Sequence, residues 1–141
     1  MIVPDTNVVA YALIQGPRTA LARRVLTLDP EWRVPDLWRH EFLNALATYV
    51  RFGGATVKEA VSLWLEATRL LEGCTEPVDM ALALQLIVEH NIGAYDAQFI
   101  ALALELGALC ITEDRRILKA FPQAAMSMQQ FSTAGGSPSR G

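Results

Sequence analysis

Short apolar runs alternate with longer segments of helical periodicity along most of the chain. Ile2 and Val3 are too few for a helix, and a polar corner at 4–7 separates them from the helix predicted over 8–14. A second run, 109–112, is almost continuously apolar, which is typical of a strand covered by helices on both faces. Short strands alternating with helices predict an α/β domain with a largely parallel sheet.

The sequence between these two runs is predicted to be mainly helical. Gly53 and Gly54 separate two segments of helical periodicity, so residues 36–72 predict a helical hairpin. The residues expected to face inward in its second helix are Val57, Val61, Trp64, Leu65 and Leu71. Further helices are predicted at 21–28, 79–89 and 97–106, further short strands at 33–35 and 124–128, and an extended piece at 74–78.

Composition indicates a single packed domain. The 141 residues are 52% hydrophobic and 19% charged, which excludes a disordered chain. We predict one domain over 1–131 and a flexible tail over 132–141, where small and polar residues leave little to bury. A net charge of -3 argues against a protein that coats nucleic acid by bulk electrostatics.

Cysteine usage and the start of the chain favour a cytoplasmic protein. Cys74 and Cys110 lack the spacing of a zinc cluster or of a disulfide scaffold. Asp5 interrupts the chain before a signal-peptide core can form, and no apolar run approaches the ~20 residues of a membrane-spanning helix.

Four acidic residues stand at positions that a shared site would need. Asp5 and Asp114 follow the two apolar strands, at the end of a parallel sheet where ligands bind. Glu41 lies within the apolar run of its helix, and Asp96 precedes the apolar helix 97–106. Helix capping by the three aspartates and solvation of Glu41 is the alternative interpretation of the same residues.

Convergence of these acids would require a cation. Two carboxylates 4 Å apart repel by about 4 kcal/mol at an effective dielectric constant of 20, and a bound ion removes that cost. Its ligands would all be oxygens, because His40 points about 100° around its helix from Glu41. Oxygen ligands suit Mg²⁺ or Mn²⁺, which can activate a water and bind a phosphate oxygen, as nucleases and phosphatases require.

Four short blocks resemble the signature motifs of PIN-domain ribonucleases and, within that superfamily, of VapC-type toxins from prokaryotic toxin-antitoxin pairs. The resemblance covers residues 1 to about 130, in order and with family spacing. The blocks are DTN at 5–7, HEFLNAL at 40–46, YDAQFIALA at 95–103 and TEDRR at 112–116.

The resemblance implies a three-layer α/β/α fold and an endoribonuclease that depends on Mg²⁺ or Mn²⁺. It implies Asp5, Glu41, Asp96 and Asp114 as catalytic acids, with Asp5, Asp96 and Asp114 holding the metal. Thr6 or Asn7, and Thr112, would be supporting polar groups near it. Glu113 is a fifth acid whose part in the site the sequence leaves open.

The same resemblance implies partners. RNA is the expected substrate, with Arg115 and Arg116 as candidate phosphate contacts or simply an exposed helix face. A cognate antitoxin is expected to place an arginine among the acids. A homodimer is expected because the helices of 36–72 carry more apolar surface than a monomer of this size covers.

Two other functions are compatible with parts of this pattern. An aspartate after the first strand also occurs in phosphoaspartate enzymes, but the position two residues later is Asn7, and neither Lys58 nor Lys119 follows a strand. A PIN-like fold that has lost catalysis and serves as a binding module is the second alternative.

Overall fold

The computed structural model describes residues 1–137, and its centre is a sheet of three short parallel strands. The strands are β1 (Ile2–Pro4), β2 (Leu109–Ile111) and β3 (Ala125–Met126), in the spatial order β1-β2-β3. Val3 lies opposite Cys110 in the register, and β3 pairs with the other edge of β2. The predicted parallel sheet is therefore confirmed, although the extended piece expected over 124–128 is a strand at only two of its residues.

Eight helices surround the sheet in the described part of the chain. They are α1 (Thr6–Leu13), α2 (Thr19–Leu28), α3 (Trp38–Phe52), α4 (Val57–Leu70), α5 (Met80–His90), α6 (Ala94–Leu106), α7 (Arg115–Ala120) and α8 (Met128–Thr133). The capping box of Thr56 and Glu59 begins α4, which packs against α3 and forms the predicted helical hairpin.

The helices form two layers, one on each face of the sheet. Successive strand residues point to opposite faces, so Ile2 and Ile111 pack with α1 to α4 and α8, whereas Val3 and Cys110 pack with α5 to α7. This is the three-layer α/β/α arrangement that the sequence predicts.

The extended piece predicted over 33–35 does not become a strand of the sheet. Trp32 forms a single bridge with Ile2, and Val34 forms another with Thr75 in the piece expected over 74–78. Pro35 has no amide hydrogen to donate, so the pairing cannot extend through it. The prediction of extended backbone was correct, but that of a strand was wrong.

The inward orientation predicted for the second helix of the hairpin is wrong for three of its five residues, whereas Leu71 is buried and Trp64 packs partly buried against the core. Val57, Val61 and Leu65 of α4 are 67%, 52% and 48% exposed, while Ala60 and Ala67 are buried. The small alanine side chains let α4 approach its neighbours closely, and the larger residues remain on the outer face.

The tail begins later than the sequence predicts. Ser132 and Thr133 belong to α8, and Ser132 is buried, with its hydroxyl accepting a hydrogen bond from Arg24 Nε at 2.5 Å. Phe131 in the core holds this helix against α2, which apolar patterning over so short a segment does not reveal. Residues 138–141 of the predicted tail lie outside the described residues.

None of the helices in residues 1–137 is long and apolar enough to cross a membrane.

Candidate active site

Asp5 and Thr112 meet where the first two strands end. Asp5 follows β1 and Thr112 follows β2, and the amide of Asp5 donates to the Ile111 carbonyl at 2.9 Å. The Thr112 hydroxyl donates to Asp5 Oδ2 at 2.5 Å, while Asp5 Oδ1 accepts from the amide of Val8 at 3.0 Å. Asp5 is thus the N-cap of α1 and also lies at the carboxyl edge of the sheet, so both interpretations of this residue hold.

Burial shifts the acidity of Asp5. Desolvation, with smaller contributions from Glu41 and Asp96, raises its pKa from 3.8 to about 6, against the opposing effect of the hydrogen bonds from Thr112 and Val8. Because desolvation disfavours the negative charge of this carboxylate, a nearby cation would stabilise its ionised form.

Glu41 reaches the same site from α3. It lies in the first turn of that helix, and its Oε1 accepts a hydrogen bond of 2.7 Å from the Thr6 hydroxyl. Desolvation first and Asp96 second raise the pKa of Glu41, while the bond from Thr6 lowers it. Thr6 and Thr112, both predicted as supporting groups, therefore each hold one of the acids.

Asp96 is not a helix cap. The helix α6 begins at Ala94 after its N-cap Gly93, so Asp96 lies within the first turn, where its charge is favourable to the helix dipole. Partial desolvation and the nearby Asp114 raise its pKa, and Arg116 lowers it. The capping alternative considered for Asp96 is therefore excluded.

Asp114 caps α7 and adjoins the other acids. Its Oδ1 accepts from the amides of Arg116 and Ile117 at 2.9 and 3.1 Å, and its own amide donates to Thr112 Oγ1 at 3.1 Å. Thr112 thus connects the carboxylate of Asp5 with the backbone of Asp114. Asp5, Glu41 and Asp96 lie close enough for their charges to act on one another, and the charge of Asp114 acts on Asp96, so Asp114 adjoins the group through Asp96.

An open groove of about 750 Å³ runs past three of these acids. Asp5, Glu41 and Asp96 line it, together with Thr6 and the exposed Asn7. Its size falls within the usual range for ligand sites, roughly 300 to 1,000 Å³.

Comparison with known proteins identifies the family. The family model described as PIN domain matches residues 2–122, most of the chain. The chain belongs to the PIN domain family.

Two relatives from Pyrobaculum aerophilum agree with this assignment. The PIN domain described here is 28% identical over 125 residues to the protein named Ribonuclease VapC3, a match that covers 86% of this chain and 95% of that protein. It also resembles the crystal structure of PAE2754, with a TM-score of 0.66, 19% identity and 95% of each chain covered, which supports the fold.

The carboxylates that line the groove of this PIN domain are oxygen donors of the kind that suits a hydrated divalent ion such as Mg²⁺ or Mn²⁺. Within residues 1–137, no three His, Cys, Asp or Glu side chains are arranged to hold a metal ion together. Mg²⁺ usually keeps several waters and binds one or two carboxylates, so a site of this kind does not need a complete cage of side chains. The half-buried Asp5, with its raised pKa, fits such an ion by its chemistry.

Glu113 turns away from the other acids of the PIN domain. Its Oε1 accepts a hydrogen bond of 2.9 Å from the amide of Met128, at the start of α8. Glu113 therefore stabilises the junction between β2 and α8, a contact that nothing in its sequence neighbourhood reveals.

The two candidate phosphate contacts differ in their surroundings. Arg116 donates to the Asn91 carbonyl at 3.3 Å, and its charge lowers the pKa of Asp96. Arg115 is exposed on the first turn of α7. Arg116 therefore lies near the acids, as the sequence predicts for a residue that contacts phosphate.

Sequence reasoning missed most of the groove wall. His40, Asn44 and Thr48 line the groove from α3, and Tyr95 lines it from α6 with 60% of its surface exposed. The sequence makes Tyr95, beside Asp96, the better aromatic candidate for a site role, although packing is its expected part, and its exposure contradicts packing. Residues 40, 44 and 48 are spaced four apart on one side of the helix that carries Glu41, and this spacing is the signal by which the wall could have been found.

Proposed function

We propose that this PIN domain is an endoribonuclease that depends on Mg²⁺ or Mn²⁺ and cleaves RNA at the acids Asp5, Glu41, Asp96 and Asp114. The observation that carries the proposal is that the carboxylates of Asp5, Glu41 and Asp96 line one open groove, where desolvation and the neighbouring acids raise the pKa of the half-buried Asp5 to about 6. Acids gathered at the carboxyl edge of a parallel sheet favour a bound cation, and the name of the relative Ribonuclease VapC3 supports RNA as the substrate.

Each acid has a distinct part in this proposal. Asp5, Asp96 and Asp114 would hold the divalent ion, directly or through its waters, and Glu41 would accept a proton from the attacking water. A divalent ion supplies two things in such a site, a lowered pKa for water and a positive charge against the phosphate. Thr112 fixes Asp5, and Thr6 fixes Glu41, through the hydrogen bonds described above.

Arg116 would position the phosphate next to this site. Its guanidinium donates a hydrogen bond to the Asn91 carbonyl, and its positive charge lowers the pKa of Asp96. An arginine can bond two phosphate oxygens at once, which fixes the RNA backbone without reading its sequence. We assign Arg115 the weaker contact, because both arginines are exposed but the bond to Asn91 and the effect on Asp96 belong to Arg116.

Cleavage of a mixed RNA pool tests the enzymatic proposal. We expect cleavage with Mg²⁺ or Mn²⁺, none with EDTA, and none by Asp96→Asn. Glu105→Gln is the matched control, because Glu105 is an exposed acid near the far end of the same helix. A folded parent that cleaves no RNA with either ion would leave the binding-module alternative in its place.

We further propose that the protein is the toxin of a VapBC-type pair and acts in the cytoplasm. The resemblance to Ribonuclease VapC3 supports this assignment. A cognate antitoxin would insert an arginine beside Asp5, Asp96 and Asp114, since a guanidinium is attracted to clustered carboxylates and can fork between two of them.

The exposed face of the helical hairpin supports a homodimer. Leu43 and Phe52 of α3 are 59% and 84% exposed, and Val57, Val61 and Leu65 of α4 extend this apolar surface. An apolar groove of about 420 Å³ lies between the two helices. Surfaces of this kind usually mark a protein interface.

Size measurement of the purified chain tests both partner proposals. We expect a dimer alone, a monomer for Val61→Glu, and a complex that no longer cleaves RNA after co-expression with the upstream gene product. Val61 is exposed, so the substitution leaves the core intact. A monomeric parent would contradict the dimer, and a neighbouring product that neither binds nor inhibits would contradict the toxin assignment.

A further inference from the structure

The groove beside the acids has two chemically different parts. One part carries the carboxylates of Asp5, Glu41 and Asp96, and the other is lined by the uncharged Asn44 and Thr48. His40, Asn44 and Thr48 follow one another at four-residue intervals and extend about 12 Å along the axis of α3. The groove therefore continues well past the acids, and this neutral part is not needed to bind a metal ion.

The neutral part offers hydrogen bonds of both kinds. Asn44 is exposed and carries an amide that presents a donor and an acceptor. The Thr48 hydroxyl donates to the Asn44 carbonyl at 3.0 Å, which leaves its oxygen lone pairs as acceptors. Ala45 lies between these two residues with only a methyl group, so the groove stays open there.

An aromatic ring forms the opposite wall. Tyr95 precedes Asp96 on α6 and is 60% exposed, whereas Phe99, one turn further on, is 3% exposed at the base of the groove. An exposed ring next to an acidic site is costly to solvate and is well placed to stack on a flat partner.

This combination does not suit a phosphate. Among the residues that the structure describes, no lysine or arginine lines the groove, and its carboxylates repel a phosphate that no cation accompanies. A base, in contrast, has an aromatic face for Tyr95 and an edge of donors and acceptors for Asn44.

We infer that the neutral part of the groove is a base-reading subsite for an unpaired nucleotide next to the scissile phosphate. The base stacks on Tyr95, its edge bonds to the Asn44 amide, and Thr48 and His40 bound the subsite. This inference rests on the proposed ribonuclease function and adds to it a requirement for a single-stranded cleavage site and two residues that determine specificity.

Pairing excludes a base from this subsite. In a duplex, the neighbouring bases cover both aromatic faces and the partner strand occupies the base edge, so neither Tyr95 nor Asn44 can reach its contact. The same RNA should thus be cleaved when single-stranded and resist cleavage when its complement is annealed.

A pool of unpaired RNA oligomers with randomised sequence tests the subsite. Sequencing of the cleaved ends should show a base preference at one position beside the cut, and Asn44→Ala should reduce that preference about tenfold, the usual contribution of a two-bond base contact, while cleavage continues. Gln85→Ala is the matched control, because Gln85 is an exposed amide on α5 and does not line the groove.

Binding provides a readout that does not depend on cleavage. In an Asp96→Asn background that does not cut, fluorescence anisotropy with a short unpaired RNA should show affinity reduced about fivefold or more by Tyr95→Ala, as expected for a lost stacking contact. Tyr95→Phe keeps the ring and should bind like the background. Both substitutions are at an exposed position, and thermal melts confirm that the variants are folded.

The outcomes separate this inference from the function on which it rests. A parent that cleaves RNA with the same base preference after Asn44→Ala, or that cuts the annealed duplex equally well, overturns the subsite and leaves the ribonuclease in place. A folded parent that cleaves nothing with Mg²⁺ or Mn²⁺ overturns the ribonuclease and the subsite with it.

Discussion

The Thr112 hydroxyl donates a hydrogen bond of 2.5 Å to Asp5 Oδ2 and joins two residues that are 107 positions apart in the chain. The same oxygen of Thr112 accepts from the Asp114 amide. One buried hydroxyl therefore sets the position of one acid and the backbone of another at the carboxyl edge of the sheet.

Removal of this hydroxyl should impair cleavage without unfolding the protein. Thr112→Val keeps the shape but leaves Asp5 Oδ2 without its donor and the Asp114 amide without its acceptor, while the bond from the Val8 amide to Asp5 Oδ1 remains. We expect cleavage to fall about 10- to 100-fold, as is typical when a group behind a metal ligand is lost. Thr112→Ser should largely restore it.

Thr27→Val is the control for this substitution, because Thr27 is an exposed threonine on α2 whose hydroxyl bonds only its own helix. Unchanged cleavage by Thr112→Val would mean that Asp5 needs no such support.

The raised pKa of Asp5 predicts how stability depends on pH without metal. The folded state retains a proton up to about pH 6, whereas the unfolded chain releases it near 3.8, so the free energy of unfolding should fall as the pH rises between these values. The loss amounts to about 3 kcal/mol above this range. Urea unfolding in EDTA across this pH range measures it.

Asp5→Asn cannot ionise and should lose this part of the pH dependence. A variant whose stability falls with pH as steeply as that of the parent would show that another group is responsible.

Asp96→Asn should leave the metal-free protein as stable as the parent or more stable. The carboxylate caps no helix, and its charge is disfavoured by partial desolvation and by Asp114. Thermal melts in EDTA and in Mg²⁺ check this expectation. A melting temperature lowered by several degrees in EDTA would show that Asp96 is needed for the fold.

The products of cleavage should carry 5′-phosphate and 3′-hydroxyl ends. A water that attacks the phosphorus while the bond to the 3′ oxygen breaks leaves these ends, whereas attack by the RNA 2′-hydroxyl, with loss of the 5′ oxygen, leaves a cyclic phosphate. His40 lines the groove, but His90 lies at the end of α5 with its ring against Phe121, so the two histidines form no acid-base pair. Mass spectrometry of the products decides between the two, and 2′,3′-cyclic phosphates would contradict hydrolysis by water.

Sequence patterning predicted the framework of the fold because strands and helices differ in their apolar period. Ile2 and Val3, and the run 109–112, are continuously apolar because helices cover both faces of the sheet. The same patterning did not identify the buried side of α5. It places Met80, Leu84 and either Ile87 or Val88 on one side, but Met80, Leu84 and Val88 are exposed, and Ile87 packs partly buried against the core. Apolar residues lie on nearly all sides of that helix, so their spacing does not indicate which face is buried.

The acids were predictable by position, but their surroundings were not. Asp5 and Asp114 follow the carboxyl ends of two strands. Because these strands are parallel neighbours, their carboxyl ends lie at the same edge of the sheet. The helix α6 begins at Ala94 with Gly93 as its N-cap, three residues before the start predicted at Ala97. Asp96 therefore lies in the first turn of the helix instead of preceding it. The exposure of Tyr95 follows from that same shift.

Titration of Mn²⁺ into the metal-free protein near pH 6, followed by calorimetry, tests most directly the claim that Asp5 belongs to a cation site. Because Asp5 is partly protonated at this pH, we predict saturable binding with release of protons, seen as a heat that depends on the buffer. Asp5→Asn should lose this proton release and bind more weakly, and Glu105→Gln should match the parent. Absence of saturable binding by the parent, or identical binding by Asp5→Asn, would contradict the account.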